Sequence, residues 1–260
     1  MRKLYYLVNH EFRSLYRIIL VICIVMIALQ QVLLVKSMNY NPNRFERFEF
    51  LFSDSGCIIV FLVCLFSVCG LCVFNAYSNY TESKSIYTLL TLPSPREYIY
   101  FSKIITYAVC FLTLLASQII SAWMGYGIFC RRILSQRFAS TAVRPASNGL
   151  FLTFIRLDFF RLILPFGVES FLNSLAIFIC LICTIYYAVI CERSKRYLSF
   201  AAVILNLALI ILSLVHRTGS MTVSVLNESG HIHVLKAALF LATAFIVYDS
   251  LRLIRKSAVV

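Results

Sequence analysis

Long uninterrupted apolar runs are the feature that most constrains the fold of this chain. Six stretches dominated by Leu, Ile, Val, Phe, Ala and Cys each approach or exceed the roughly 18 residues of a membrane-span candidate. A spanning helix satisfies its own backbone hydrogen bonds in lipid, so helix is the expected form of such a run. The runs predict an all-α, polytopic membrane protein with six transmembrane helices, at about 18–35, 57–77, 104–127, 171–191, 198–215 and 234–251.

Composition agrees with this class. Hydrophobic residues make up 61% of the 260 residues and charged residues only 13%, about half the charged share of a typical soluble domain. We therefore expect a single transmembrane domain that covers residues 1–260. The start, MRKLYYLVNHEFRSLYR, is too mixed to form the apolar core of a secretory signal.

The distribution of basic residues predicts the orientation. An even number of spans places both ends of the chain on one side of the membrane. The short pieces CERSKRY and RLIRKSA lie against the spans, where Lys and Arg favour the cytoplasmic side most strongly. We expect a multi-pass protein of the bacterial cytoplasmic membrane with its N and C termini in the cytoplasm.

The net charge of +13 does not indicate nucleic-acid binding, because the basic residues are scattered among the spans and form no basic domain. The basic edges of the spans fit anionic lipid headgroups, so the lipid bilayer is an expected partner. A role for the outer arginines in handling an anionic substrate remains open.

The N-terminal segment has helical amphipathicity. Its apolar residues recur at helical spacing and its basic residues fall largely on the other side: Leu4, Tyr5, Val8, Phe12, Leu15 and Tyr16 against Lys3, His10, Arg13 and Arg17. This pattern predicts an interfacial helix that precedes span one. A frayed cytoplasmic start is the alternative.

The sequence offers no catalytic or metal site. Two C-x-x-C pairs, CGLC at 69–72 and CLIC at 180–183, have metal or redox spacing, but both lie inside apolar spans, where thiolate formation is costly. Packing between helices is the favoured role of these cysteines. A phosphate loop of the form G-x-x-x-x-G-K-[ST] is missing, so we do not expect the chain to be an enzyme that hydrolyses ATP.

One connection is unusual. The segment 150–167, LFLTFIRLDFFRLILPFG, is apolar but contains Arg156, Asp158 and Arg161. We expect an interfacial helix or a re-entrant hairpin that ends at Pro165, with a possible contact between Asp158 and Arg161. If this segment crossed the membrane, the orientation of everything after it would invert.

The connection between spans two and three is punctuated by two prolines. Asn79 and Glu82 have capping-box spacing, and Ile86, Leu89, Leu90 and Pro93 follow at helical intervals. The pattern predicts a short amphipathic helix at about 80–92, stopped by Pro93. Its apolar stripe needs a cover, either the lipid headgroups or a groove on a soluble partner.

Here the sequence resembles the membrane subunit of type-2 ABC exporters. In that family this segment reads roughly LLSLP-(small)-x-R-x-x-(I/V)-x-x-K, and the residues that match are Leu89, Leu90, Leu92, Pro93, Arg96, Ile99 and Lys103. The resemblance implies a cytoplasmic coupling helix between spans two and three that binds a separate ABC ATPase subunit. The coupling residues are then Glu82, Ile86, Leu89, Leu90, Pro93 and Arg96.

The resemblance also implies a transport function. ATP and Mg would bind the partner ATPase and no cofactor would bind this chain, which would pair with a second permease, identical or related. The spans contain neutral polar groups and no deeply placed charge, and Lys103 falls at the lipid boundary. A hydrophobic or amphipathic cargo (a peptide, an antibiotic or a lipid-like molecule) would follow a pathway lined by Gln30, Gln31, Phe61, Phe66 and Asn206. Interhelical hydrogen bonds are the alternative role of the amides, and a non-transporting membrane anchor or sensor subunit that recruits a cytoplasmic partner is the alternative function.

Overall fold

The computed structural model describes residues 2–40, 47–81, 96–137, 149–163, 165, 167–194, 197–220 and 229–256. Within these residues the chain is all-α. The helices are α1 (Arg2–Tyr40), α2 (Phe48–Asp54), α3 (Cys57–Thr81), α4 (Arg96–Arg137), α5 (Gly149–Arg156), α6 (Asp158–Ile163), α7 (Val168–Arg193), α8 (Tyr197–Ser220) and α9 (Ser229–Lys256).

Six of the described helices are long and apolar enough to cross a membrane. Their apolar spans run Leu4–Met38, Cys57–Ser78, Glu97–Arg132, Ser170–Arg193, Ser199–His216 and Val234–Ile254, in α1, α3, α4, α7, α8 and α9. The predicted all-α, polytopic fold with six transmembrane helices is confirmed, and each predicted span lies within one of these helices. The chain is a multi-pass membrane protein.

The predicted N-terminal helix is present, but it is not a separate element. Residues 2–17 and span one form one continuous helix of 39 residues, α1. At 1.5 Å per residue such a helix is about 58 Å long, which exceeds the roughly 30 Å of a hydrocarbon core. Part of α1 therefore extends beyond the lipid tails.

In its described residues, the segment 150–167 adds no seventh helix long enough to cross a membrane. It forms two short helices, α5 of eight residues and α6 of six, with Leu157 between them. A helix of eight residues is only about 12 Å long, too short to cross a bilayer. The helix α2, whose Phe48, Leu51 and Phe52 are buried, was not predicted from the sequence.

The chain divides into two compact units. Unit 1 contains residues 1–16, 69–109 and 164–260, and unit 2 contains residues 17–68 and 110–163. The helices α1, α3 and α4 each contribute a part to both units. The division matters here because the predicted site residues fall in different units.

Unit 2 has an aromatic core. Phe52 and Phe160 are almost fully buried, and their ring centroids lie 5.7 Å apart. Phe48 contacts Tyr126 edge to face at 5.5 Å, and Phe61 contacts Phe159 in the same way at 5.2 Å. Such contacts add to the apolar burial that holds α2 and α6 against the spanning helices.

In unit 1, α7, α8 and α9 pack together around Cys180, Ile210 and Leu239. A buried amide joins two of these helices: Asn206 Nδ2 donates to Thr184 Oγ1 at 2.6 Å, and Cys180 Sγ donates to Asn206 Oδ1 at 3.2 Å. Interhelical bonds of this kind are worth about 0.6–2 kcal/mol in membrane proteins.

Candidate functional site

The predicted coupling segment lies between α3 and α4. Glu82, Ile86, Leu89, Leu90 and Pro93 are outside the described residues. The backbone of Arg96 is described, and it begins α4. The structure describes the helices on both sides of the segment, which are α3, ending at Thr81, and α4, beginning at Arg96. We call these two helix ends the scaffold of the segment.

A buried ionic cluster lies in this scaffold. Lys103 Nζ of α4 lies 3.8 Å from Glu11 Oε1 of α1, and both side chains are almost fully buried. Asn75 of α3 donates from Nδ2 to Glu11 Oε2 at 3.3 Å. One polar or charged side chain from each of three helices therefore meets inside unit 1, where a low local dielectric strengthens the attraction between the two charges.

The ionic cluster lies close to the two helix ends that flank the predicted coupling segment. Asn75 precedes the end of α3 by six residues, and Lys103 follows the start of α4 by seven. At 1.5 Å per residue, both lie about 9–11 Å along their helices from the segment. If the segment moved, its displacement would have to pass along only about two helical turns to arrive at the ion pair.

Tyrosines flank the ion pair on α4. Tyr100, Lys103 and Tyr107 have i, i+3, i+7 spacing and therefore share one helix face. The ring centroid of Tyr186 on α7 lies 5.5 Å from that of Tyr100 and 6.2 Å from that of Tyr107. The Tyr107 hydroxyl donates to the Cys72 carbonyl oxygen at 2.9 Å. The start of α4 is thus packed against α1, α3 and α7.

Lys103 has a partner that the sequence analysis did not identify. The sequence analysis placed Lys103 at the lipid boundary and found no charge deep in a span. The structure adds that Lys103 is paired with Glu11 and that both side chains are buried in the protein. Local sequence patterns could not predict the contact between Lys103 and Glu11, because the two residues are far apart in sequence. A signal for Glu11 was available, since Val8, Glu11 and Leu15 share the apolar face of the N-terminal helix.

Two further polar contacts connect the spans of unit 1. Arg193 near the end of α7 lies over the Tyr77 ring of α3, 5.9 Å from the ring centroid. The Tyr187 hydroxyl on α7 donates to Asp249 Oδ2 on α9 at 2.6 Å. Together with the Tyr186 contacts, they place the ends of α3, α4, α7 and α9 around the same polar region.

Unit 2 contains a cluster of buried amides. Gln30 Nε2 on α1 donates to Gln118 Oε1 on α4 at 2.8 Å and to the Cys57 carbonyl oxygen at 3.1 Å. Gln31 Nε2 donates to the carbonyl oxygen and the hydroxyl oxygen of Ser121, at 2.8 and 3.1 Å. We call Gln30, Gln31, Gln118 and Ser121 the amide cluster.

The five predicted pathway residues are divided between the two units. Gln30 and Gln31 lie together in the amide cluster, and Phe61 is buried in the aromatic core of the same unit. Phe66 belongs to unit 2 but is 72% exposed. Asn206 lies in unit 1, bonded to Thr184. Gln118 and Ser121, which were not assigned to the pathway, are the partners of the two glutamines.

The cysteines are free thiols, and most are buried. In the C-x-x-C pair of α7, Cys180 donates to Asn206 and Cys183 is buried. In the part of the chain that the structure describes, no three His, Cys, Asp or Glu side chains come together in a geometry that could hold a metal ion.

Comparison with protein-family models, with curated proteins and with solved structures finds no match to this chain. The geometry of the two polar clusters and the sequence of the coupling segment therefore carry the functional argument.

Proposed function

We propose that this chain is the transmembrane permease subunit of an ATP-driven ABC exporter of type 2. It resides in the bacterial cytoplasmic membrane with both termini in the cytoplasm. It acts with a separate ABC ATPase, which binds ATP and Mg, and with a second permease, identical or related. The cargo is hydrophobic or amphipathic and crosses by alternating access.

The observation that carries the proposal is the placement of Lys103. In the segment that resembles the exporters, Ile99 and Lys103 are the positions whose side chains are described, and both are buried. Lys103 pairs with Glu11 of α1 and thereby ties the start of α4 to another span. If the segment only rested on the lipid surface, a buried charge such as Lys103 near the start of α4 would not be required. Burying a charge costs free energy, so we infer that the ion pair has a purpose.

The same contacts supply a route for coupling. ATP-driven closure of the ATPase would displace the segment, and the displacement would move the ends of α3 and α4 that hold Asn75 and Lys103. Through Glu11 it would reach α1, and through Tyr186 it would reach α7. Packed helices respond to such a displacement by rigid-body rocking, which is the basis of alternating access.

The direct test is the isolation of the complex. The chain, tagged at its C terminus and expressed in its own host, is purified from membranes in mild detergent, and copurifying proteins are identified by mass spectrometry. We expect an ABC ATPase in near-stoichiometric amount and an ATPase activity that is sensitive to vanadate. Purification without any nucleotide-binding protein, or with a cytoplasmic partner that does not hydrolyse ATP, would favour the anchor or sensor function instead.

A further inference from the structure

The amide cluster of unit 2 contains more hydrogen-bonding capacity than it uses. Gln30 and Gln118 are almost fully buried. Yet among the described residues, no group forms a hydrogen bond with Gln30 Oε1, Gln31 Oε1 or Gln118 Nε2. The cluster thus presents two unmatched acceptors and one unmatched donor.

These unmatched atoms are costly to the fold. A buried polar atom without a partner costs about 1–3 kcal/mol, and water is scarce inside a membrane bundle. The Gln30 and Gln118 amides are bonded to each other through one pair of atoms, and the second polar atom of each amide, Gln30 Oε1 and Gln118 Nε2, stays unmatched. A ligand that carries both a donor and an acceptor could match both atoms.

The chemistry of the cluster selects the ligand class. A secondary amide donates through its N–H and accepts through its C=O, which matches Gln30 Oε1 and Gln118 Nε2. An acyl chain offers neither group. The polar side chains of the amide cluster are neutral, so they provide no countercharge for a phosphate or a carboxylate.

The amide cluster lies next to the apolar core of unit 2. The Cys57 carbonyl oxygen accepts from Gln30, and Cys57 belongs to the apolar core that contains Phe48, Phe52 and Phe160. A chain of amides with apolar side chains could place its backbone on the glutamines and its side chains among these rings. Hydrophobic peptides have this composition.

We infer that the amide cluster, Gln30, Gln31, Gln118 and Ser121, is a binding site for the peptide group of a hydrophobic peptide cargo. The inference rests on the proposed function and narrows its cargo from hydrophobic molecules in general to amide-bearing ones. Because Gln30 and Gln118 are buried, the site accepts its ligand when α1 and α4 separate, which alternating access provides.

The test compares two probes of the same shape on the purified full-length chain. The first is N-acetyl-leucyl-leucine methylamide, and the second is its depsipeptide analogue, in which an ester oxygen replaces the N–H between the leucines. We expect the ester to bind about tenfold more weakly, as for the loss of one hydrogen bond, in equilibrium binding measurements. Neither probe requires an altered protein.

Variants locate the effect. Gln30→Leu removes the acceptor of the N–H and should reduce the preference for the amide to about one. Gln118→Met keeps the length of the side chain and removes the donor to the C=O, which both probes contain, so it should weaken the binding of both probes. Asn9→Leu removes an exposed amide from the part of α1 that belongs to unit 1 and serves as the control, which should retain the preference. Equal binding of amide and ester by the unaltered chain, no binding of either, or an amide preference that survives Gln30→Leu would overturn the inference.

These outcomes are independent of the ATPase. A chain that copurifies with an ABC ATPase but does not distinguish amide from ester refutes the peptide site alone. A chain that prefers the amide but associates with no ATPase refutes the exporter function alone.

Discussion

Lys103 Nζ and Glu11 Oε1 lie 3.8 Å apart inside unit 1, and this contact joins α4 to the N-terminal part of α1. Asn75 completes the cluster from α3. The three residues meet about two helical turns from the segment that resembles a coupling helix. The ion pair therefore links the stability of the bundle to the element that we assign to the ATPase.

Reversal of one charge of the pair should destabilise the chain, because it leaves two like charges buried together. We expect Glu11→Lys or Lys103→Glu alone to cost about 3–5 kcal/mol, and the double exchange to recover a large part of that loss. The measurement is the unfolding of the purified chain in detergent. Arg252→Glu, an exposed charge reversal on α9, is the control, and single variants as stable as this control would show that the pair contributes nothing.

The hydrogen bond between Tyr187 and Asp249 should stabilise the packing of α7 on α9. Tyr187→Phe removes the hydroxyl that donates to Asp249 Oδ2, and we expect a loss of about 1–3 kcal/mol. Tyr248→Phe is a matched control, since Tyr248 precedes Asp249 and is 67% exposed. Thermal unfolding of the two variants should differ, and equal midpoints would contradict the prediction.

Gly125 marks a close approach of α1 and α4 in unit 2. A Cβ atom there would lie 2.6 Å from Leu34 Cδ1, whereas a Cβ atom at Gly127 would meet nothing within 4 Å. Leu34 is itself almost fully buried. We expect Gly125→Leu to destabilise the chain by about 1–3 kcal/mol and Gly127→Leu to be neutral. Similar unfolding midpoints for both variants would show that α1 and α4 do not pack as described.

A native cysteine can report the orientation. Cys130 is partly exposed near the end of α4, next to the exposed Arg131. If the start of α4 is cytoplasmic, this end is external. A membrane-impermeant maleimide should then label Cys130 in intact cells, and Cys130→Ser should remove that label. Labelling of Cys130 only after permeabilisation would invert the proposed topology.

The spans could be predicted from sequence because each apolar run is long enough to determine its own structure. Predicted and observed limits of the span Cys57–Ser78 differ by one residue, for example. The first span differs more, because α1 continues through the polar N-terminal residues without a break. Local pattern identified both parts as helical but did not show that they form one helix.

The polar clusters could not be predicted in the same way, since they depend on which helices are neighbours. Glu11 and Lys103 are 92 positions apart, and Gln30 and Gln118 are 88 apart. Their residue types indicated polar groups near or inside the spans. Only the packing of α1 against α4 reveals that one pair is ionic and buried and the other is an amide pair with unmatched atoms.

The central claim is that the segment between α3 and α4 is the docking site of a separate ABC ATPase. The most direct measurement is the amount of ATPase that copurifies with Leu89→Asp and with Arg96→Glu, at equal membrane insertion. The matched control is Arg131→Glu, a charge reversal near the opposite end of α4, the helix that Arg96 begins. We expect the amount of copurifying ATPase to fall at least tenfold in both segment variants, relative to the unaltered chain, and to stay unchanged in the control. Normal copurification and ATPase activity in both segment variants would contradict the claim and favour a segment that rests on lipid headgroups.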